Sequence, residues 1–350
     1  MLRFLAVAVA IPLLFLPGPF PIPHPLLLLF PDGISARALT LIRCFSGVFL
    51  VHQVNALLNR WAENRWMWKY DGSSWVWEDE IAVVTGGSGG IGAAVVEKLL
   101  SYGITVAVLD VEPLSDELQN NATNLVHFYQ CDITSRREVH QAGEAIRADH
   151  GVPSILINNA GIGNANTILE TTPERIRAIF DVNIISHWNT VQEFLPDMIA
   201  RSKGHIMSTA SLASFVGLAG MVDYSCTKAA LMAFHEGLTQ ELKHRYNSPQ
   251  IKTTIVYPHW TRTRLTAPLE DGIRTTRASI VEPKDVAHAM VRQIIAAKSG
   301  QIVLGPGIAA SIRAFPMWLQ EFLRDRMARV VTVNATTAVA QSPGVYEETT

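Results

Sequence analysis

Short apolar runs alternate with longer amphipathic stretches from residue 81 onward. The apolar runs are Ile81–Val84, Thr105–Leu109, Val126–Tyr129, Ile155–Ile157, His205–Met207, Thr253–Val256 and Gln301–Leu304. Helical spacing lies between most of them, over Gly92–Tyr102, Arg136–Asp149, Pro173–Arg201 and Tyr224–Tyr246. Because strands that alternate with helices join by right-handed crossovers, this order predicts a single α/β domain with a doubly wound parallel sheet of about seven strands.

The first thirty residues are apolar but rich in proline. Phe4–Leu16 contains the helix-breaking Pro12, and Leu26–Phe30 follows a series of alternating prolines. An apolar run this short does not cross the ~30 Å hydrocarbon core in a straight helix, since that needs about 20 residues. A cleaved signal peptide and a buried strand stay open as interpretations. The favoured one is a membrane anchor, inserted as a hairpin or from one side of the bilayer.

The segment that follows supports an anchor. Apolar positions recur at helical spacing from Leu41 to Leu58. Aromatic and basic residues come next, at Arg60, Trp61, Arg65, Trp66, Trp68, Lys69, Tyr70, Trp75 and Trp77. They suit a headgroup boundary, although an aromatic mini-core packed on the domain is an alternative that can hold as well. Since arginines concentrate after the first apolar segment, the positive-inside tendency predicts a domain that faces the cytosol.

The chain thus divides into five predicted regions. We expect a hydrophobic anchor over residues 1–60, a tryptophan-rich connector over 61–79 and the α/β domain over 80–308. Residues 309–331 mix apolar and basic positions and predict an amphipathic helix, either on a membrane surface or as a cap over a ligand-binding mouth. Residues 332–350 predict a mobile tail.

Composition narrows the class of partner. The 350 residues carry a net charge of −2 without a prominent basic run, so no nucleic-acid partner is expected. The three cysteines, Cys44, Cys131 and Cys226, are far apart and odd in number. We therefore expect neither a disulfide framework nor a metal site.

A glycine-rich turn follows the first predicted strand and leads into an alanine-rich helix. Gly86 would form the tight turn, Gly90 would let the backbone approach a diphosphate, and Gly92 would let the helix pack on the sheet. The residues of this turn that we assign to a cofactor are Gly86, Ser88, Gly90, Ile91 and Gly92. A strand before the glycines and a helix after them predict a dinucleotide site at the helix N-terminus.

Two acidic residues end the next strands. Asp110 can accept both ribose hydroxyls of an adenosine half and would repel a 2′-phosphate, and no basic residue stands at 87–89 or 111. The sequence therefore favours NAD over NADP. Asp132 is placed either to meet the adenine edge or to cap the helix that begins near Ser135.

Tyr224 and Lys228 stand four residues apart and share one face if the segment is helical. An unperturbed tyrosine has a pKa of ~10, too high for a base at neutral pH. A lysine cation, together with a positive nicotinamide ring, would favour the phenolate and lower that pKa. The lysine can also hold ribose hydroxyls.

Further polar residues accompany this pair. Ser211, or its neighbour Ser208, follows the fifth strand with a hydroxyl suited to bind a substrate oxygen. Asn183 lies inside a predicted helix, where a buried amide needs partners or marks a structural kink. Asn158–Gly161 follows the fourth strand, at the carboxyl edge where open sheets bind ligands.

In this order and spacing, the motifs resemble those of the short-chain dehydrogenase/reductase family over about Glu80 to Gly307. The resemblance implies a Rossmann-type fold and hydride transfer between a substrate carbon and nicotinamide C4. It implies Tyr224 as general acid/base, Lys228 as its pKa partner and ribose ligand, and Ser211 as the stabiliser of the substrate oxygen. Asn183 would anchor a water in a proton relay. The further cofactor residues are Asn159, Ala160, Gly161, Pro258 and Thr263.

One motif departs from the family pattern. The family has a glycine after the proline of the sixth strand, whereas this chain has His259. Pro258 and Thr263 can still meet the nicotinamide carboxamide, but the loop shape is expected to differ. His259 is then either a local titrating group or a tolerated loop change. We expect the loop after Pro258 and the segment Phe215–Val222 to line the substrate site.

The apolar N-terminal extension is similar to that of the membrane-associated, retinol/hydroxysteroid dehydrogenase-like branch of the family. That branch implies retinoid, steroid or other lipid alcohols and ketones as substrates. It also implies attachment to the endoplasmic reticulum or a lipid droplet, and a homodimer formed through the long helices Pro173–Arg201 and Tyr224–Tyr246. The alternatives are an NADP-linked lipid ketone reductase and a catalytically silent dinucleotide-binding scaffold.

Overall fold

The computed structural model describes residues 36–66, 74–120, 124–163, 165–276, 278–306, 308–328 and 330–331. They belong to two compact units, which divide between Lys69 and Tyr70. The apolar segments predicted at Phe4–Leu16 and Leu26–Phe30 lie outside the described residues, as does the tail predicted over 332–350.

The described part of the first unit is dominated by one long helix, α1, over Ala36–Glu63. Its Thr40–Glu63 portion has 24 residues and a mean hydropathy of 1.5, with none of the apolar window buried. By length and composition this portion is able to cross a bilayer. At its end, the ring of Trp61 meets the ring of Trp66 edge to face, with centroids 4.8 Å apart.

Within the described residues, seven strands of the second unit form a single parallel sheet in the order β3-β2-β1-β4-β5-β6-β7. The strands are β1 (Ile81–Thr85), β2 (Thr105–Asp110), β3 (Val126–Gln130), β4 (Ile155–Asn158), β5 (His205–Thr209), β6 (Lys252–Pro258) and β7 (Gly300–Leu304). Each strand contains the apolar run that predicted it. The predicted doubly wound fold is confirmed.

Helices cover both faces of the sheet. They are α2 (Gly90–Leu100), α3 (Asp116–Asn120), α4 (Arg136–Asp149), α5 (Pro173–Phe180), α6 (Ser186–Ala200), α7 (Val222–His244), α8 (Glu270–Thr275), α9 (Pro283–Ile295) and α10 (Met317–Met327). Ala82 and Val84 of β1 pack in one apolar cluster with α2 and α9, whereas Ile81 and Val83 pack in another with α4 and α6. Alternate residues of a strand point to opposite faces, so the central strands are apolar throughout.

The helix predicted over Pro173–Arg201 is interrupted. A π-helical segment, Asp181–Ile185, separates α5 from α6, and the Ser186 N–H donates to the carbonyl of Asp181, five residues earlier. The extra residue in this turn changes the direction of the side chains on either side. Helix α9 lies in a stretch for which we made no prediction.

The C-terminal segment predicted as one helix over 309–331 is a 3₁₀ helix, Ala309–Ala314, followed by α10. Leu323 and Met327 pack against a buried apolar cluster of the second unit that also contains Ile312. Arg313 donates to the backbone carbonyls of Ser214 and Phe215 at 3.2 Å each. These contacts favour the cap among our two interpretations of this segment.

Glu80, which directly precedes β1, is a buried carboxylate that links the sheet to the segment around Ser74. Glu80 is 2% exposed, accepts a hydrogen bond of 2.5 Å from Ser154 and contacts the Lys203 ammonium group. Lys203 also donates to the carbonyl of Ser74 at 2.7 Å and lies 4.8 Å from the ring centroid of Trp75. Trp75 and Trp77, the connector tryptophans that belong to the second unit, therefore pack on the domain.

Candidate active site

The glycine turn between β1 and α2 forms an open backbone cradle. Gly86 and Gly90 have φ values of +65° and +57°, in the region that favours glycine. An ideal Cβ on Gly92 would lie 2.0 Å from the carbonyl oxygen of Gly86, so only glycine fits this approach of helix to turn. Helix α2 has no side-chain N-cap, and nothing lies within 4 Å of a Cβ on Gly89. Its first N–H groups therefore suit a diphosphate.

Asp110 is held at the end of β2. Its Oδ2 accepts from the Ser88 N–H at 3.0 Å, and its Oδ1 accepts from the Glu112 N–H at 3.2 Å. Ser88 in turn donates its hydroxyl to the Glu112 carbonyl at 2.8 Å. These bonds join the glycine turn to the end of β2 and hold the Asp110 carboxylate there, while its contact with a ribose stays a prediction.

Asp132 does not cap a helix. Its Oδ1 accepts from the N–H and the hydroxyl of Thr134, at 2.9 and 2.8 Å. The N-cap of α4 is Ser135, which accepts from the Glu138 N–H at 3.3 Å. Of our two interpretations of Asp132, the cap is therefore wrong, and the adenine contact stays a prediction.

The Asn-Asn-Ala-Gly segment is bonded to the glycine turn. Asn159 donates its side-chain amide to the carbonyls of Thr85 and Gly86 at 3.3 and 3.2 Å. The backbone N–H groups of Asn159 and Ala160 donate to the Thr85 hydroxyl at 3.0 and 3.1 Å. An ideal Cβ on Gly161 would lie 3.5 Å from Lys228 Nζ, so this segment connects the cradle with the lysine.

Tyr224 and Lys228 lie on the first turns of α7. The Lys228 Nζ is 5.5 Å from the Tyr224 ring centroid and donates to the Thr209 carbonyl at 2.8 Å. Tyr224 and Ser211 line the same cavity, and the Ser211 side chain is near enough to lower the pKa of the Tyr224 hydroxyl. Ser208, the alternative to Ser211, is buried and instead bonds the His187 ring at 3.3 Å. The structure thus brings Tyr224, Lys228 and Ser211 together.

Burial dominates the electrostatics of this pair. It raises the pKa of Tyr224 to about 12, against the opposite effect of the Ser211 hydrogen bond. It also lowers the pKa of Lys228 to about 8. In the protein alone, desolvation therefore raises the tyrosine pKa. The lowering that we expect from the lysine together with a positive nicotinamide ring stays a prediction.

Asn183 lies in the π-helical segment, fully buried. Its amide donates to the Ile162 carbonyl at 2.9 Å and to the Thr227 hydroxyl at 3.1 Å, and its Oδ1 accepts from the Ile162 N–H at 2.8 Å. The side chain therefore clamps the residue that follows Gly161 onto α7. Its part in a water relay stays a prediction.

A cavity of about 880 Å³ contains most of the predicted site. The predicted residues that line it are Gly86, Ser88, Gly90, Ile91, Asp110, Asp132, Asn159, Ala160, Gly161, Ser211, Tyr224, Lys228, Pro258 and Thr263. Gly92 and Asn183 lie behind this wall and support it. The cradle and the acidic residue at one end, with the tyrosine at the other, fit a nicotinamide dinucleotide in size and chemistry.

The other end of the cavity is apolar. Val216, Leu218 and Met221 line it from the segment predicted over Phe215–Val222, and Leu212, which that prediction did not include, lines it as well. The C-terminal segment adds Ile308, Ile312, Leu323, Met327 and Val330, which the sequence did not assign to the site. The amphipathic pattern of residues 309–331 was the available signal, but it did not show which surface the apolar side faces.

His259 is accommodated as part of the loop after β6. Its N–H donates to the Leu304 carbonyl at 2.8 Å, and its Nδ1 accepts from the Trp260 N–H at 2.7 Å. Gly305 makes room for it, since an ideal Cβ there would lie 3.1 Å from the His259 Cβ. Burial lowers the pKa of His259, so the ring is neutral at neutral pH. This bonding favours a tolerated loop change over a titrating group.

Comparison with known proteins identifies the family. The family profile described as short chain dehydrogenase matches residues 80–274, more than half of the chain. Dehydrogenase RED2 of Cochliobolus heterostrophus is 44% identical over 184 residues, which cover 53% of this chain and 69% of that protein. Epidermal retinol dehydrogenase 2 of Mus musculus is 32% identical over 223 residues, covering 62% and 70%.

Solved structures agree in fold. A short chain dehydrogenase/reductase from Burkholderia phymatum, in complex with NAD, superposes with a TM-score of 0.59 at 24% identity, covering 67% of this chain and 92% of that one. The chain therefore belongs to the short-chain dehydrogenase/reductase family, as an NAD(P)-dependent enzyme of the retinol dehydrogenase-like branch.

Proposed function

We propose that the protein is a membrane-anchored NAD-dependent dehydrogenase of a lipophilic secondary or allylic alcohol, or a reductase of the corresponding carbonyl compound. One observation carries the proposal: the hydroxyl groups of Tyr224 and Ser211 line the same cavity as the apolar wall made by the C-terminal segment. A bulky apolar alcohol would find its proton acceptor and its binding surface in one enclosed space.

The chain's own residues would perform the proton chemistry. With NAD bound, Lys228 and the positive nicotinamide ring would favour the Tyr224 phenolate. Ser211 would hold the substrate oxygen by a hydrogen bond while this phenolate takes the hydroxyl proton. Lys228 would stabilise the phenolate through its charge, since burial makes an isolated phenolate costly. When bound, the nicotinamide ring supplies the acceptor for the hydride that leaves the alcohol carbon, which becomes a carbonyl carbon. The Tyr224 phenol would then release this proton to solvent, which returns the residue to its phenolate form for the next turnover.

The remaining predicted residues would hold the cofactor. The glycine cradle and the N-terminus of α2 would bind the diphosphate, and Lys228 the nicotinamide ribose. Pro258 and Thr263 would contact the carboxamide, and Asp132 the adenine edge. Asp110 would accept the adenosine ribose hydroxyls and repel a 2′-phosphate, which is the reason to favour NAD over NADP.

Lipid substrates are supported by two independent features. The apolar end of the cavity has little to offer a polar metabolite. The candidate span Thr40–Glu63 would keep the enzyme where such molecules dissolve. We infer attachment to the endoplasmic reticulum or a lipid droplet with the domain in the cytosol, and the region boundaries proposed from the sequence. A homodimer through α5, α6 and α7 completes the proposal.

The test is NADH formation by membranes that carry the full chain, measured over a panel of retinol, steroid and long-chain alcohols. Tyr224→Phe should reduce kcat by at least about a hundredfold, the usual contribution of a positioned acid/base. Binding of NADH should stay within about twofold, because the phenyl ring keeps the packing.

Undiminished turnover by Tyr224→Phe would contradict the assigned mechanism. Tight NADH binding without turnover on any alcohol or ketone would instead favour the silent scaffold. Tighter binding of NADPH than of NADH, measured by titration of both nucleotides, would favour the NADP-linked ketone reductase.

A further inference from the structure

An ion pair joins two segments that lie 152 residues apart in sequence. Arg264, in the loop after β6, places its Nη1 2.8 Å from Oε2 of Glu112, which follows β2. Both residues line the cavity. The sequence indicated no basic residue for the adenosine end of the site, because its local neighbours, 87–89 and 111, contain none.

The pair is coupled to the acid proposed to hold the adenosine ribose. The Glu112 N–H donates to Asp110 Oδ1 at 3.2 Å, and the Glu112 carbonyl accepts from Ser88 at 2.8 Å. The backbone of Glu112 is thus bonded to the Asp110 carboxylate, and the side chain of Glu112 is bonded to Arg264.

The other cations that line the described part of the cavity have different partners. Lys228 donates to the Thr209 carbonyl beside Tyr224, and Arg175 donates to the Gly163 carbonyl at 3.0 Å. Of these three cations, Lys228, Arg175 and Arg264, only Arg264 bonds to Glu112, the residue that follows β2.

We propose that Glu112 and Arg264 determine cofactor specificity: Glu112 occupies the guanidinium group of Arg264 and so prevents it from binding the 2′-phosphate of NADP. The inference rests on the proposed adenosine site at Asp110. Asp110, Glu112 and Arg264 together carry a charge of about −1, which disfavours a phosphate. Loss of the Glu112 charge brings the sum near zero, and loss of the Arg264 charge brings it near −2.

Exposure limits the size of the effect. The Arg264 and Glu112 side chains are 89% and 64% exposed, so water and salt screen their charges. If a unit charge lay about 7 Å from a doubly charged phosphate, at an effective dielectric near that of water, removing that charge would change affinity by about fivefold at low salt. NAD lacks this phosphate, so its affinity should change less than about twofold.

The experiment uses the full-length protein in detergent and measures dissociation constants of NADH and NADPH by nicotinamide fluorescence, at low and high salt. The variants are Glu112→Gln, Arg264→Gln and the double variant. Asp271→Asn is the matched control, because it breaks another exposed pair, with Arg274 at 2.6 Å, whose residues do not line the cavity.

We expect Glu112→Gln to tighten NADPH binding about fivefold and Arg264→Gln to weaken it by a similar factor, with smaller changes at high salt. The double variant should lie between them, and the control should match the wild type. An NADPH/NADH ratio that both single variants leave unchanged, or move in the same direction, would overturn the inference. If wild-type protein binds neither nucleotide, the proposed function fails first, and this inference fails with it.

Discussion

At the scale of single residues, Lys228 meets two opposing demands. Its ammonium group is buried beside Tyr224, where it can stabilise a phenolate and donate to ribose hydroxyls. The same burial lowers its pKa to about 8, so the charge on which both roles depend is lost just above neutral pH.

We predict that NADH binding weakens several-fold between pH 7 and about pH 9.5. Lys228 is cationic below its pKa of about 8 and neutral above it, so binding above that pH must first return a proton to the amine. Tyr224, with a pKa of about 12, stays neutral over this range. Fluorescence titration at a series of pH values measures the effect.

Lys228→Met is the matched control for this pH dependence. The variant should bind NADH weakly at every pH in the range, because its unbranched side chain fills similar space without a titrating group. A wild-type dissociation constant that does not change across pH 8 would contradict the assignment.

At the scale of elements, α8 and the C-terminal segment touch through their backbones. An ideal Cβ on Gly272 would lie 1.9 Å from the carbonyl oxygen of Val330, so any larger residue would push the segment away. Val330 and Met327 line the apolar end of the cavity. The proposed cap, residues 309–331, can therefore lie where it does only because residue 272 is a glycine.

We predict that Gly272→Ala loosens the cap without affecting the cofactor cradle. Overpacking of this kind costs about 1–3 kcal/mol of unfolding free energy. Trypsin should cut faster at Arg324 and Arg326 of α10, and KM for the best lipid alcohol should rise several-fold, while NADH affinity stays the same. Thermal unfolding, timed proteolysis and titration measure the three quantities.

Gly237→Ala in α7 is the control, because a Cβ there meets nothing within 4 Å. In a helix this change should stabilise by up to about 1 kcal/mol and leave proteolysis of α10 unaltered. Equal trypsin sensitivity of Gly272→Ala and wild type would show that the segment does not depend on this contact.

Elements with local signals were predictable from the sequence. Apolar runs such as Ile155–Ile157 predict the strands. The glycines at 86, 90 and 92 predict the cradle, because they all lie where β1 leads into α2. Non-local features were not predictable. Arg264 and Glu112 meet although they are 152 positions apart in sequence, and the π-helical turn at Asp181–Ile185 contains Asn183, whose partners Ile162 and Thr227 are also distant in sequence.

At the scale of the whole molecule, membrane attachment depends on whether α1 enters the bilayer. We predict that the double variant Val48→Arg/Val51→Arg releases the full chain from membranes. Each arginine near the centre of a spanning helix costs about 2.5–3.5 kcal/mol of insertion free energy. The fraction of protein that resists alkaline extraction measures the effect.

Leu57→Arg/Leu58→Arg is the matched control, because these positions lie near the end of the candidate span, where arginine can reach the headgroups. This variant should stay in the membrane. Full retention of the Val48/Val51 variant would mean that α1 is not the segment that holds the protein there.

The buried Glu80 has a mechanical consequence. Through Lys203 it fastens the Ser74 backbone to the end of the sheet opposite the glycine turn. A pull on the chain before Ser74 would therefore be resisted at that end by the ion pair of Lys203 with Glu80 and by the hydrogen bond of Lys203 to Ser74. The turn at Gly86 lies beyond the loaded bonds. Force applied to the chain before Ser74 would then reach the proposed nucleotide-binding loop only after these bonds had broken.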